Sequence, residues 1–235
     1  DFFKVKQIDS EKKLDRLKID KLLKTIYSNH TTEEINFISN QLLQILDDFS
    51  EKSAYEEIRD KERWNESHSV LITYADSIYK NGEATLITLR KLLSKHFGSL
   101  SKVVHILPFL KSTSDGGFAV SSYDSLEEKF GGWDDLKSIS KNHDLMADLV
   151  LNHVSSSHPW VQQFIKSQEP GISNVFSPKQ NLDWSNVVRP RSSSLFSQIN
   201  TDDGPKQVWT TFGPDQIDLN WHNPKMTLEF LNLII

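Results

Sequence analysis

Between residues 69 and 153, short β-branched apolar runs alternate with amphipathic helical stretches, and this alternation restricts the fold more than any other feature of the chain. SVLITYAD (69–76) and KVVHILPF (102–109) have the composition of strands buried on both faces. Between them, EATLITLRKLLSKHF (83–97) carries a helical apolar period and meets Gly98 as its stop. DDLKSISKNH (134–143) predicts a short helix, and LMADLVLNH (145–153) a third strand that carries Asp148 and delivers Asn152 and His153 at its end. Strand, helix, strand, helix, strand predicts right-handed βαβ units around a parallel sheet, an α/β fold. A dinucleotide-binding version is poorly supported, because YADSIYKNGE after the first strand holds a single glycine instead of a glycine-rich fingerprint.

The flanks differ from this middle. Residues 1–63 are charged and helical in period: Leu14, Leu17, Ile19, Leu22, Leu23 and Ile26 recur every three to four positions. Thr31 and Glu34 form a capping-box pattern ahead of a second helix bearing Ile35, Ile38, Leu42, Leu43 and Ile45. A third helix is expected over 51–63, completing a helical N-terminal extension. Residues 154–207 show neither period and are rich in Ser, Pro, Asn and Gln, which reads as a small irregular subdomain or an active-site loop system. VWTTF (208–212) predicts a short strand returning from it. Asn223 as N-cap and Pro224 at the first helical position then start a helix with Met226, Phe230, Leu231 and Ile234 on its apolar face. Its lack of any stop signal at Ile234-Ile235 gives the expectation of a truncated chain.

A net charge of −5 argues against a nucleic-acid partner, since a phosphate-binding surface wants a basic excess. No window approaches the ~20 continuous apolar residues of a membrane-spanning helix. The absence of cysteine excludes a disulfide scaffold and thiolate metal sites and fits a reducing compartment. The eight histidines form no paired ligand spacing, so no metal is expected.

In parallel α/β folds the chemistry gathers at the carboxyl ends of the strands. Tyr74-Ala75-Asp76, the loop PFLKSTSDGGFAVSSYD and Asn152-His153 occupy those ends. In the loop, Asp115 and Phe118 flank two glycines. Either this is an Asp-Gly turn beside a core phenylalanine, or it holds a carboxylate and a ring against a polar ligand. Asp148, inside an apolar run, needs a partner to avoid a cost of several kcal/mol, and an arginine further along, within these residues or beyond them, is the expected one; its role is then structural. Asn152 is expected to tie down the loop. Arg189-Pro190-Arg191 is either a solvated basic pair or a fork for phosphate or carboxylate.

Taken together, these residues resemble the α-amylase superfamily of glycoside hydrolases and transglycosidases, family 13. DLVLNH is similar to its first conserved region, and IDLNWHNP (217–224) to the DLN-x-x-NP region after its inserted domain B. DGGF, RPR and VWTTF-x-x-x-QIDLN resemble the sucrose phosphorylase-like branch, and the helical extension followed by W-x-E-x-x-x-VLITYAD is most like glucosylglycerate phosphorylases. The resemblance implies an N-terminal fragment of a (β/α)8 barrel: a helical extension (1–63), the first three β/α units (64–153), a domain-B insertion (154–207) and a truncated return to the barrel (208–235). It also implies that Asp115 and His153 hold glucosyl hydroxyls, that Phe118 supplies an apolar platform, and that Arg191, Phe212 and Gln216 lie near the acceptor or phosphate.

The activity implied is retaining transfer of a glucosyl unit from glucosylglycerate or sucrose to inorganic phosphate, with these small molecules as partners, no nucleic acid or membrane, no cofactor, and a cytoplasmic location. The family's nucleophilic aspartate stands in an R-x-D-A region and its acid glutamate follows the next strand. Neither motif occurs in these 235 residues, so no catalytic carboxylate is assigned and this stretch alone is expected to be inactive. A hydrolase or transglucosidase of the same family, and a non-catalytic carbohydrate-binding relative, are the alternatives.

Overall fold

The structure is a computed structural model that describes residues 16–52, 68–98, 100–179, 182–188 and 191–235. The chain divides into two compact units, one of Trp64–Asn220 and one in which Trp221–Ile235 joins the N-terminal residues through Arg63.

In the N-terminal unit, α1 (Arg16–Ile26) and α2 (Thr32–Lys52) pack on each other. The capping box forms as its spacing predicts: Thr31 N donates to Glu34 Oε2 at 2.8 Å, and Glu34 N donates to Thr31 Oγ1 at 3.2 Å. Leu23, Tyr27, Ile35 and Ile38 form the core with Ile19 and Leu228 beside them. The apolar period of α1 overstates this core, because Leu17 is 80% exposed and Ile26 66%. The helix is apolar over a wider arc than its neighbours cover. The third helix expected over 51–63 lies outside the described residues, except that its first two residues end α2.

The larger unit is built on three parallel strands in the order expected: β1 (Val70–Thr73), β2 (Val103–Ile106) and β3 (Asp144–Ala147). Their register aligns Ile72, His105 and Met146 in one row and Thr73, Ile106 and Ala147 in the next. The crossovers carry α3 (Thr85–Leu92), which continues as a π-helical turn to Phe97, and α4 (Trp133–Ser140). Leu86, Leu89 and Leu93 from the first crossover and Leu136 and Ile139 from the second are buried, as are Val104 and Ile106. The alternate face is open: Ile72 is 60% exposed and Met146 39%. The expectation of strands buried on both faces therefore holds for one face only.

The third strand is also shorter than expected. Pairing stops at Ala147, and His153 instead opens β4 (His153–Ser155), which runs antiparallel to β7 (Gln216–Asp218). The segment between them is more regular than its composition suggests. It holds α5 (Pro159–Ile165), α6 (Gly171–Asn174) and a hairpin of β5 (Phe196–Thr201) and β6 (Gly204–Trp209), where Trp184, Phe196 and Trp209 cluster edge to face and Phe176 packs tilted on Trp209. VWTTF is not a strand of its own: Val208 and Trp209 end β6, and Thr210–Phe212 leave the pairing. The final helix, α7 (Lys225–Ile234), starts one residue later than expected, with Pro224 at its N-cap; Asn223 Oδ1 accepts from Lys225 N at 3.1 Å, and Met226 and Phe230 are buried. Its Thr227 hydroxyl bonds Tyr27 Oη at 2.8 Å, which ties it to α1 and α2.

Candidate active site

The site forms where the loop after β2 meets the β4–β7 ribbon. Ala119 and Val120, fully buried, anchor that loop behind a tight turn at Asp115–Gly117. Asp115 sits at φ +55° and Gly117 at φ +105°, a region that glycine tolerates and aspartate enters at some cost. A Cβ on Gly117 would lie 2.3 Å from the Pro108 carbonyl oxygen, so only glycine lets the turn fold this close to the end of the β2 loop. The Tyr74 ring lies against Gly116, within 3.4 Å of where a Cβ would stand.

Across from this turn the ribbon aligns His153 with Asp218 and Ser155 with Gln216. All four side chains are buried. Gln216 Nε2 donates to Asp115 Oδ2 at 2.8 Å and lies 3.1 Å from His153 Nε2. His153 Nε2 is also 3.1 Å from the Phe118 carbonyl oxygen. The Phe212 ring packs 5.0 Å from the His153 ring, and the Arg191 guanidinium lies over Phe212 at 5.8 Å. All six residues singled out from the sequence thus stand in one chain of contacts, with Phe118 contributing its backbone carbonyl and presenting a half-buried ring. Arg189, the other member of the arginine pair, lies outside the described residues.

Two carboxylates that the sequence reading gave no role, Asp215 and the Asp218 of the IDLNWHNP stretch, hold this arrangement. Asp215 accepts from Thr113 Oγ1 (2.5 Å), Ser114 Oγ (2.6 Å), the Ser156 amide (3.3 Å) and the Ser156 hydroxyl, clamping the Asp115 turn to the chain that follows β4. Burial alone would push its pKa up, but the hydrogen bonds from Ser114, Ser156 and Thr113 prevail and hold it below the ordinary value. Asp218 accepts from Thr211 N at 3.1 Å and Thr211 Oγ1 at 2.5 Å; there burial prevails and its pKa is raised. Burial also keeps His153 below its usual pKa, against the pull of Asp218, the Phe118 carbonyl and Asp115, so the imidazole is favoured as a neutral hydrogen-bonding group. Both acids lie on or beside β7, a strand too short to reveal which side chains turn inward.

Among the described residues Asp148 pairs with no arginine. Its Oδ2 lies 2.9 Å from His105 Nε2. His105 is level with Met146, and Asp148, two residues on, points to the same open face, so a histidine already on the neighbouring strand is the nearest partner. Asn152, expected to tie down the loop through its side chain, reaches His153 Nδ1 (3.3 Å) and Asp218 with its side-chain amide, and its backbone carbonyl also accepts from Leu219 N at 2.9 Å.

A parallel βαβ sheet with its polar residues gathered at the strand ends is the geometry of a barrel-type enzyme. Residues 96–235 match the α-amylase catalytic domain, and the chain belongs to that family. It is similar to the glucosylglycerate phosphorylase of Allomeiothermus silvanus, at 41% identity over 172 residues, covering 73% of this chain and 31% of that protein. It is also similar to the sucrose phosphorylase of Streptococcus mutans, at 32% identity over 178 residues, covering 71% and 36%. Among solved structures, the sucrose 6F-phosphate phosphorylase from Thermoanaerobacter thermosaccharolyticum superposes with a TM-score of 0.62 at 32% identity, covering 70% of this chain and 36% of that one. The α/β fold is accordingly a partial (β/α)8 barrel. The chain spans about a third of the length of the curated relatives it matches.

Proposed function

We propose that this chain forms the glucosyl-binding side of a retaining α-glucosyl phosphorylase acting on glucosylglycerate or sucrose. The observation that carries the reading is the convergence of Asp115, His153, Gln216, Phe212 and Arg191 beside the Phe118 carbonyl, in a family member whose relatives are phosphorylases. Asp115 and His153 hold hydroxyls of the glucosyl unit and Phe118 supplies the apolar platform. Arg191, with Phe212 and Gln216, lies toward the acceptor, where an anionic phosphate suits a guanidinium. Residues 154–207 act as the domain-B insertion that carries Arg191 to the site.

The reaction that goes with this reading has two displacements. A carboxylate attacks the anomeric carbon while a second acid protonates the departing oxygen. A phosphate oxygen then attacks the same carbon, the carboxylate leaves, and the second residue takes the phosphate proton, giving glucose 1-phosphate with retained configuration. Neither carboxylate is assigned within these residues. Inorganic phosphate is the co-substrate, no cofactor is required, and the cytoplasm, where hexose phosphates are used, is the expected compartment. No helix among the described residues is long and apolar enough to cross a membrane.

The test incubates the 235-residue chain, and separately a full-length protein that contains it, with each donor in the presence and absence of phosphate. Glucose 1-phosphate is expected from the longer protein alone. Its release by the 235-residue chain would refute the placement of the catalytic carboxylates, and phosphate-independent glucose release at full rate would identify a hydrolase.

A further inference from the structure

We propose that Asp218 is a positioning residue: through the Asn152 amide it sets His153 as the Nε2–H tautomer, so that a ligand meets a donor beside the Asp115 acceptor. The β4–β7 register places Asp218 directly across from His153, and Asp218 is 7% exposed. Its carboxylate accepts from Thr211 N and Oγ1 and from the Asn152 side-chain amide. An ionised carboxylate has no proton to donate, so Asn152 must turn its NH2 toward it. That same nitrogen lies 3.3 Å from His153 Nδ1. An NH2 group there requires a lone pair on Nδ1, which puts the imidazole proton on Nε2, where the Phe118 carbonyl at 3.1 Å accepts it.

The opposite tautomer has a plausible set of partners as well, which is why a determinant is needed. With Asn152 turned over, its oxygen would accept from Nδ1–H, and the Gln216 NH2 at 3.1 Å would donate to a bare Nε2. Asp218 rules this out by repelling the Asn152 oxygen. The consequence lies at the ligand face. In the Nε2–H form Gln216 is left to Asp115, and an incoming hydroxyl can donate to the Asp115 carboxylate while sharing the His153 Nε2–H with the Phe118 carbonyl. In the Nδ1–H form both groups would be acceptors, and one hydroxyl could satisfy only one of them. The consequence for sugar binding rests on the proposed function, whereas the tautomer itself does not.

The test is a long-range proton–nitrogen spectrum of the 15N-histidine-labelled chain at neutral pH without sugar or phosphate, so its failure is separate from failure of the phosphorylase reading. His153 resonances are identified by their loss in His153→Gln. We expect a pyrrole-type Nε2 and a pyridine-type Nδ1 in the wild type. In Asp218→Ala the ratio of Nε2–H to Nδ1–H falls by about tenfold, the scale of one hydrogen bond. Asp218→Asn keeps the volume and shifts the ratio in the same direction, which covers the case that the alanine variant does not fold. A wild-type His153 protonated at Nδ1 overturns the proposal. So does a ratio unchanged by either substitution, since the Phe118 carbonyl alone would then suffice.

Discussion

The three-stranded sheet and the two-stranded ribbon of the larger unit bury their strands in opposite ways. The sheet hides one apolar face under its crossover helices and leaves the other, with Ile72 and Met146, open. The ribbon is buried on every side, yet its side chains are largely polar: His153, Ser155, Gln216 and Asp218. Burial of polar groups is tolerable only when each finds a partner, and those of the ribbon do. The sheet thus depends on shape and the ribbon on hydrogen-bond complementarity, and the residues proposed to bind sugar gather at the ribbon, since complementarity is also what selects a polar ligand.

The largest contrast is expected on the covered face of the sheet. Ile106, fully buried in β2, should lose about 3–4 kcal/mol of stability on conversion to alanine, through lost transfer energy and the cavity left behind. Urea unfolding followed by circular dichroism reads this. A loss below about 1 kcal/mol would mean that this face is no better packed than the open one.

On the ribbon side the next effect is one of pH. His158, just beyond β4, caps α5 by accepting from Trp160 N at 3.2 Å and is 6% exposed. Burial drives its pKa from 6.5 down to about 4. The folded state therefore binds this proton less readily than the unfolded chain. The associated stability is fully present above pH 6.5 and is lost as pH falls toward 4. The loss amounts to about 3 kcal/mol. His158→Asn, which retains a capping side chain, should flatten stability across that window; an unchanged profile would place the acid sensitivity elsewhere.

How much of each region could be read from the sequence follows from the same contrast. The sheet was legible because its pattern is local: its apolar runs and the helical periods of its crossovers lie within a few residues of each other, as does the Thr31–Glu34 capping box of the N-terminal unit. The ribbon was not, since β4 and β7 are three residues each and His153 meets Gln216 across 63 positions of chain. The six candidate residues were singled out by resemblance and by their place at strand ends, whereas the roles of Asp215 and Asp218 could not be, because only the tertiary arrangement shows where those carboxylates turn. The partner of Asp148 was hard to read for a related reason: residue type suggests an arginine, whereas among the described residues side-chain direction gives His105.

The clamp at Asp215 gives a smaller, testable term. Asp215→Asn leaves one acceptor oxygen for four donors and should cost about 1–2 kcal/mol at neutral pH. The folded-state pKa is held below 3.8, so the carboxylate's contribution is complete above that value and disappears as pH falls beneath it. The difference between wild type and variant should accordingly be flat near neutrality and shrink toward zero in acid. Hydrogen exchange at Thr113–Ala119 should quicken in the variant at neutral pH. A difference that persists undiminished in strong acid would show that packing, not the charge, is what Asp215 contributes.

The smallest effect is expected on the open face and bears most directly on the contrast. Ile72 is 60% exposed at the centre of that face, so Ile72→Ser should change stability by no more than about 0.5 kcal/mol. Little apolar area is withdrawn from water there, and the substitution has little to lose. The prediction is specific because β1 is otherwise favourable for isoleucine, whose branched side chain suits a pleated surface. A loss of 2 kcal/mol or more, on the scale of a buried isoleucine, would mean that something covers this face in solution. If that loss grew with protein concentration, the cover would be a second copy of the chain, and the sheet would depend on its neighbours as completely as the ribbon depends on its own polar partners.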